Sequence, residues 1–208
     1  PVACSREDAS RLIAAQQHHG VPILVGHHRR HNPVAERAKA IIDEGRLGRL
    51  ATVTGMWQTC KPDDYFTMEW RRHHGAGVIL INLVHDLDLL RHFCGEISAV
   101  QAITHNTLRG FEVEDSAVIQ LEFANGALGS LTGSDAAVSP WGWDQNANEV
   151  PLYAKHLDQS CYFLAGSEGA LSVPQLSLWR YGAQRGWQHQ LICESHRYSK
   201  GSAPQRQL

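Results

Sequence analysis

The sequence predicts an α+β protein in which helices cover one face of an open, largely antiparallel sheet. Its 208 residues are 43% hydrophobic, which is enough to fill a core of domain size. Helical patterns dominate the chain before residue 97, and short alternating segments separated by turn residues follow. Helices first and then a run of antiparallel strands are typical of the α+β class.

Clear start and stop signals delimit the elements in the first part of the chain. Ser5 with Asp8 three residues later resembles a capping box, and Gly20 ends the helix that follows. Asn32 and Pro33 supply the N-cap and the first-turn proline of a second helix. A short apolar run predicts a buried strand at 22–26, and alternation predicts another at 50–60. The predicted helices are 6–19, 33–45 and 78–93.

The second part of the chain consists mainly of strand patterns. Asn125 and Gly126 form a hairpin signal between two of them. The segment 139–155 predicts a long irregular loop, and loops of that length are usually functional or disordered. The predicted strands are 97–105, 116–123, 127–133, 161–165, 170–173, 176–181 and 187–192.

The bulk composition excludes several classes of function. A net charge of -2 gives no basic surface for nucleic acid or an anionic membrane. The five cysteines include no Cys-x-x-Cys pair, so neither a disulfide framework nor a structural zinc site is expected, and a reducing cytoplasm fits best. No apolar run is long enough to span a bilayer.

The segment from Trp70 to Asp88 carries the most chemistry. Asn82, His85 and Asp88 are three residues apart, so they are predicted to share one face of the helix. Burying such groups costs free energy unless each is hydrogen-bonded, which requires either a mutual network or a ligand. The structural alternative is a core histidine bonded to Asp88. The catalytic alternative is a metal-dependent hydrolase, in which His85, Asp88 and His92 hold one ion.

The same segment resembles the signature of the Gfo/Idh/MocA (glucose–fructose oxidoreductase/inositol dehydrogenase) family. The matching residues are Trp70-Arg71, the small-residue run 75–77, His85 and Asp88. The resemblance extends to the segments 20–33, 45–48 and 166–171. One position departs from the pattern: Ile81 stands where the family often has Asp, and Asn82 beside it is a possible polar substitute.

The resemblance implies the C-terminal domain of an oxidoreductase that transfers a hydride between NAD or NADP and a sugar, polyol or related cyclic alcohol. His85 is then the catalytic residue, because a histidine with an ordinary pKa near 6.5 suits proton transfer close to neutral pH. Polar or aromatic character makes other side chains candidates for the substrate site. They are Asn82, Lys61, Tyr65 and Trp143. The cofactor candidates are Arg30, Trp70 and Arg71, and no metal is expected.

The dinucleotide-binding domain of the family is not expected in this chain. No Gly-x-Gly-x-x-Gly pattern occurs in the sequence, and the family's lysine would directly precede Pro1. The chain is therefore predicted to be one substrate-binding and oligomerisation domain over 1–208. Residues 1–33 would be the link from the dinucleotide domain, and the C-terminal end would be truncated. Such a chain is expected to be inactive alone.

The strands also predict an assembly. Val118, Gln120 and Glu122 point to one side of their strand, and the apolar residues between them point to the other. Apolar residues of both parities occur in the later strands, so some must face outward, and large outward apolar patches usually mark an interface. The residues are Ala127, Leu128, Leu131, Leu176, Leu178, Trp179 and Tyr181. We expect a homodimer, or a higher homo-oligomer, paired sheet to sheet, as the resemblance also implies. A purely non-catalytic pairing domain is the remaining alternative.

Overall fold

The structure is a computed structural model that describes residues 2–196. The strands are β1 Leu50–Gln58, β2 Ile97–His105, β3 Ser116–Phe123, β4 Leu128–Ser134, β5 Tyr162–Gly166, β6 Ala170–Val173, β7 Ser177–Tyr181 and β8 Leu191–Ser195. The α-helices are α1 Arg6–His19, α2 Pro33–Asp43, α3 Val84–Cys94 and the single-turn α4 Trp143–Asn146. Most sequence predictions of elements are confirmed to within a few residues, and β8 begins later than predicted.

All eight strands belong to one sheet, in the order β2-β3-β4-β1-β5-β6-β7-β8. The pairing of β1 with β4 is parallel, and the other pairings are antiparallel. The predicted open, largely antiparallel sheet is therefore confirmed. Along β3 the predicted alternation also holds, with Ile119 and Leu121 buried and Val118 and Gln120 exposed.

Helices α2 and α3 pack against each other and over the inner face of the sheet, where α3 lies on β1. Asn32 begins α2 as predicted, with its Oδ1 accepting from the Val34 amide at 3.0 Å. The core between the layers contains the large side chains of Trp57, Leu90 and Tyr162, all fully buried. The layer of helices thus holds the start of α3 over the middle of the sheet.

The predicted buried strand at 22–26 is wrong. The segment has no regular secondary structure, and Leu24 is 82% exposed. A buried strand needs neighbours that satisfy its backbone groups, and no strand in residues 2–196 pairs with it. The helix before it forms as predicted, since Ser5 Oγ accepts from the Asp8 amide at 3.0 Å and Gly20 ends α1 in the left-handed region. However, α1 buries none of its residues.

The helix predicted over 78–93 is not α-helical throughout. The segment Ile79–Leu83 near its start is a π-helix, and α3 continues from Val84. Single π-turns are rare and frequently lie at functional sites. None of the helices in the described residues is long and apolar enough to cross a membrane.

Candidate functional site

Two residues fix the start of the π-helix. The Glu114 side chain accepts from the Ile79 amide at 2.9 Å, and its backbone carbonyl accepts from the Val78 amide at 3.2 Å. Gly77 precedes them at a φ of 89°, and a Cβ on Gly77 would lie 2.4 Å from a Glu114 carboxylate oxygen. Glycine is therefore required here both for its backbone conformation and for the space that Glu114 occupies.

Lys61, Asn82 and Tyr65 come together at this turn. Lys61 Nζ donates to Asn82 Oδ1 at 2.8 Å and to Asp135 Oδ2 at 3.4 Å, and it lies 4.7 Å from the centre of the Tyr65 ring. Burial lowers the pKa of Lys61, and Asp135 partly opposes that effect. Asp135 also accepts from Arg109 at 2.8 Å. The cluster therefore brings together a lysine, an amide and a phenol side chain.

His85 has no such partners. Its Nδ1 is enclosed and has no hydrogen-bond partner, whereas its Nε2 is accessible. The ring centre lies 5.9 Å from that of His27 and 5.5 Å from that of His28. Burial, followed by the charge of Arg29 and the neighbouring histidines, lowers the pKa of His85 to about 4. His85 is therefore a neutral base near pH 7.

The predicted bond between His85 and Asp88 is wrong. Asp88 accepts instead from Arg30, at 2.7 Å from Nε and 2.5 Å from Nη2. This two-point contact is the favoured geometry of an arginine–carboxylate pair. Arg30 is one of the predicted cofactor residues. In this structure its guanidinium binds Asp88 and so anchors α3.

The three residues of the metal alternative are not brought together. Asp88 is occupied by Arg30, and no group of three His, Cys, Asp or Glu side chains within residues 2–196 is placed to hold an ion. His92 lies two turns further along α3 from His85, beside Phe93. The three residues of that hypothesis do not form one site.

Trp143 was predicted to stack on a substrate, and the structure contradicts this. The ring is fully buried, packs against Tyr162 at 6.0 Å between centres, and donates from Nε1 to Glu149 at 2.6 Å. No face of the indole is accessible. The long loop that contains it is nevertheless close to the site, because its residue Asp144 contacts Arg29.

A buried charged network lies directly beside His85. Arg29 Nη1 is 3.0 Å from Asp86 Oδ2, and its Nη2 donates to Asp144 at 3.2 Å. Tyr162 donates to Asp86, and the Trp57 indole donates to Asp144 at 2.8 Å. Burial opposes the charge on Arg29, but the two carboxylates raise its pKa overall. Sequence reasoning missed this network, since its members are spread over 134 residues and no local spacing connects them.

Trp70 and Arg71 lie at the edge of the Lys61 group. The Arg71 guanidinium is 3.8 Å from the Tyr65 ring centre, and Nη1 donates to the Tyr65 carbonyl at 2.7 Å. Its Nε is enclosed without a hydrogen-bond partner, and the Trp70 ring is about half exposed. The contact of Trp70 and Arg71 with a cofactor stays a prediction.

An open eight-stranded sheet with helices on one face, and a signature helix carrying an unpaired histidine, define the class as the C-terminal domain of Gfo/Idh/MocA proteins. The family model for that domain, described as "GFO/IDH/MocA C-terminal domain", matches residues 35–172. The chain belongs to the Gfo/Idh/MocA family.

Individual relatives agree with this assignment. The chain is 31% identical over 150 residues to the uncharacterized oxidoreductase YrbE of Bacillus subtilis, covering 70% of this chain and 42% of that protein. It is 24% identical over 180 residues to myo-inositol 2-dehydrogenase of Thermotoga maritima, covering 81% and 52%. The WlbA dehydrogenase of Bordetella pertussis, solved with NADH and UDP-GlcNAcA, superposes with a TM-score of 0.69 at 26% identity over 83% and 46%. The chain thus spans about half the length of these relatives.

Proposed function

We propose that this chain is the substrate-binding domain of an oxidoreductase that transfers a hydride between NAD or NADP and a sugar, polyol or related cyclic alcohol. The observation that carries the proposal is His85, a neutral base whose enclosed Nδ1 has no hydrogen-bond partner. Buried polar groups are normally hydrogen-bonded, so an unpaired ring nitrogen supports contact with a ligand. Relatives named as an inositol dehydrogenase and as an NADH-binding dehydrogenase support the substrate and cofactor classes.

In the proposed reaction, His85 accepts the proton of the reacting hydroxyl through its accessible Nε2. A bound nicotinamide would supply the hydride-accepting chemistry at the carbon that bears this hydroxyl. Arg71 and Trp70 would hold the amide end of the cofactor. Lys61, already held by Asn82, would bind a neighbouring hydroxyl and fix the orientation of the ring.

The experiment is an assay of NAD and NADP reduction with a panel of inositols, aldoses and anhydrosugars. It compares the protein in which this domain is joined to a dinucleotide-binding domain with the present chain alone. We expect turnover by the joined protein and none by the chain alone. The absence of turnover with every alcohol and both cofactors would contradict the proposed function. Turnover by the chain alone would contradict the expectation that the reaction requires a dinucleotide-binding domain.

We further propose that the domain forms a homodimer through the outer face of its sheet. The strand register places five large apolar residues on that face, all at least 40% exposed, and one of them, Leu128, lines a concavity of about 670 Å³. They are Ile103, Val118, Leu128, Phe163 and Trp179. Of the apolar residues among which some were predicted to face outward, Leu128 and Trp179 do so, and Ala127, Leu131, Leu176 and Leu178 are buried in the core.

Sedimentation of this chain at micromolar concentration tests the dimer. Val118→Lys, which places a charge on the outer face, should convert dimer to monomer. Leu152→Lys is the matched control, because Leu152 is an exposed residue of the long loop. A monomeric unmodified chain would rule out the dimer. We also propose a cytoplasmic location, which the five free cysteines support.

A further inference from the structure

The ring of His28 lies between His85 and a buried carboxylate. Its centre is 5.5 Å from that of His85, and its Nε2 is 2.9 Å from Glu149 Oε1. That contact is close enough for an ion pair, although its orientation falls short of a hydrogen bond. The attraction is therefore mainly one between net charges.

Glu149 is enclosed to an extent that demands a compensating charge. Its side chain is 2% exposed. Its other oxygen accepts from the Asn32 amide at 3.0 Å and from the Trp143 indole at 2.6 Å, and both of these donors are neutral. A buried carboxylate without a cation is costly. Lys155 is on the same loop, but its ammonium donates to the backbone carbonyls of Asp144 and Val150. His28 is the side chain that supplies the positive charge in contact.

The surroundings of His28 independently indicate that the ring is doubly protonated. Nε2 faces Glu149, and Nδ1 faces the carbonyl oxygen of Gly26 at 3.4 Å. Both ring nitrogens thus meet acceptors, and only the imidazolium has a donor at each nitrogen. In line with this geometry, the close contact with the Glu149 carboxylate raises the pKa of His28, while burial and Arg29 oppose the effect.

We propose that His28, charged by Glu149, is a positioning residue that, together with burial and Arg29, keeps the neighbouring His85 in its neutral, proton-accepting form down to acid pH. The other cationic or titratable neighbours of His85 are Arg29, which is held by two carboxylates, and His27, which lies 3.9 Å from Asp88 and whose pKa is lowered by burial. Like charges within a few ångströms disfavour each other, so an imidazolium beside His85 opposes a second one. The catalytic meaning of this inference rests on the proposed function, but the charge arrangement does not.

The test is an NMR titration of the thirteen histidines in this chain, labelled with ¹³C and measured without cofactor or alcohol. In the unmodified chain, His28 should titrate above the ordinary histidine value and His85 below it. His28→Gln should raise the midpoint of His85 by about one pH unit, because it removes a nearby like charge. Glu149→Gln should lower the midpoint of His28.

Glu112→Gln is the matched control. Glu112 pairs with His73 Nδ1 at 2.8 Å, but this pair is exposed and contributes nothing to the shift of His85. The control should leave the titration of His85 unchanged. An unchanged His85 midpoint in His28→Gln would overturn the inference. If His28→Gln fails to fold, the unmodified chain still decides, since a His28 midpoint at or below the ordinary value would also overturn it.

The outcome is separable from that of the proposed function. In the joined enzyme, His28→Gln should move the acidic limb of the pH profile of kcat/KM upward by the same amount as the His85 midpoint. A shifted His85 midpoint in an enzyme without turnover would support this inference and contradict the proposed dehydrogenase function. Turnover with an unshifted acidic limb would support the proposed function and contradict this inference.

Discussion

Arg29 and His85 lie in the same polar region, yet they are satisfied in opposite ways. Arg29 is 3% exposed and meets a carboxylate on each side, and those carboxylates receive further bonds from a tyrosine and a tryptophan. His85 sits next to Asp86, the carboxylate that Arg29 holds, and its enclosed nitrogen meets no partner. The difference separates an arginine whose ion pairs support the fold from a histidine that no hydrogen bond within the protein holds.

The largest effect expected from this comparison is on stability. Arg29→Met should lower the free energy of unfolding by about 3–5 kcal/mol, because it leaves buried carboxylates without their cation. His85→Gln should change it by less than about 1 kcal/mol, because no bond within the protein is lost. Urea denaturation of this chain measures both values.

Arg185→Met is the control for removing an arginine as such. Arg185 pairs with Glu168 in an exposed position, and exposed pairs contribute about 0–1 kcal/mol. Equal losses in Arg29→Met and His85→Gln would mean that His85 is as structural as Arg29.

An intermediate effect is expected at the turn that presents Asn82. Gly77→Ala should cost about 1–3 kcal/mol, because it combines an unfavourable φ with a clash against Glu114. Gly126→Ala is the matched control, since Gly126 has a φ of 88° but open space around it, and strain alone should cost about 1 kcal/mol. Equal costs for the two variants would show that Glu114 gives way and does not fix the turn.

The remaining effect concerns pH. The pKa of His85 falls from an ordinary 6.5 to about 4 on folding, so between these values the unfolded chain binds more protons. The free energy of unfolding should therefore decrease as pH falls from about 6.5 to 4. His85→Gln should remove this component, so its stability should fall less than that of the unmodified chain over the same window. Parallel stability curves would contradict the assigned neutral form.

Local patterns predicted the elements and the position of His85 well. The caps of α1 and α2, the hairpin at Gly126 and the alternation of β3 each depend on residues within a few positions of one another. The segment 22–26 failed because burial of a strand depends on distant partners, which a short apolar run does not reveal.

The partners within the site were the least predictable part. Three-residue spacing placed Asn82, His85 and Asp88 on one face, but Lys61 and Arg30 bind the first and the last of them from distant segments. The π-turn before α3 also breaks the regular spacing at Asn82. Trp143 was misassigned because an aromatic residue in a loop has the same appearance in a sequence whether it is exposed or fully buried.

The most direct test of the account is the effect of His85→Ala on kcat/KM in the joined enzyme, compared with His92→Ala on the same helix. We predict a loss of about 10²–10⁴-fold for His85→Ala, the range typical of a general acid–base group, with the fold retained. His92→Ala should leave kcat/KM within a few-fold of the unmodified enzyme. An unchanged kcat/KM in His85→Ala, or equal losses in the two variants, would contradict the assignment of His85 as the base.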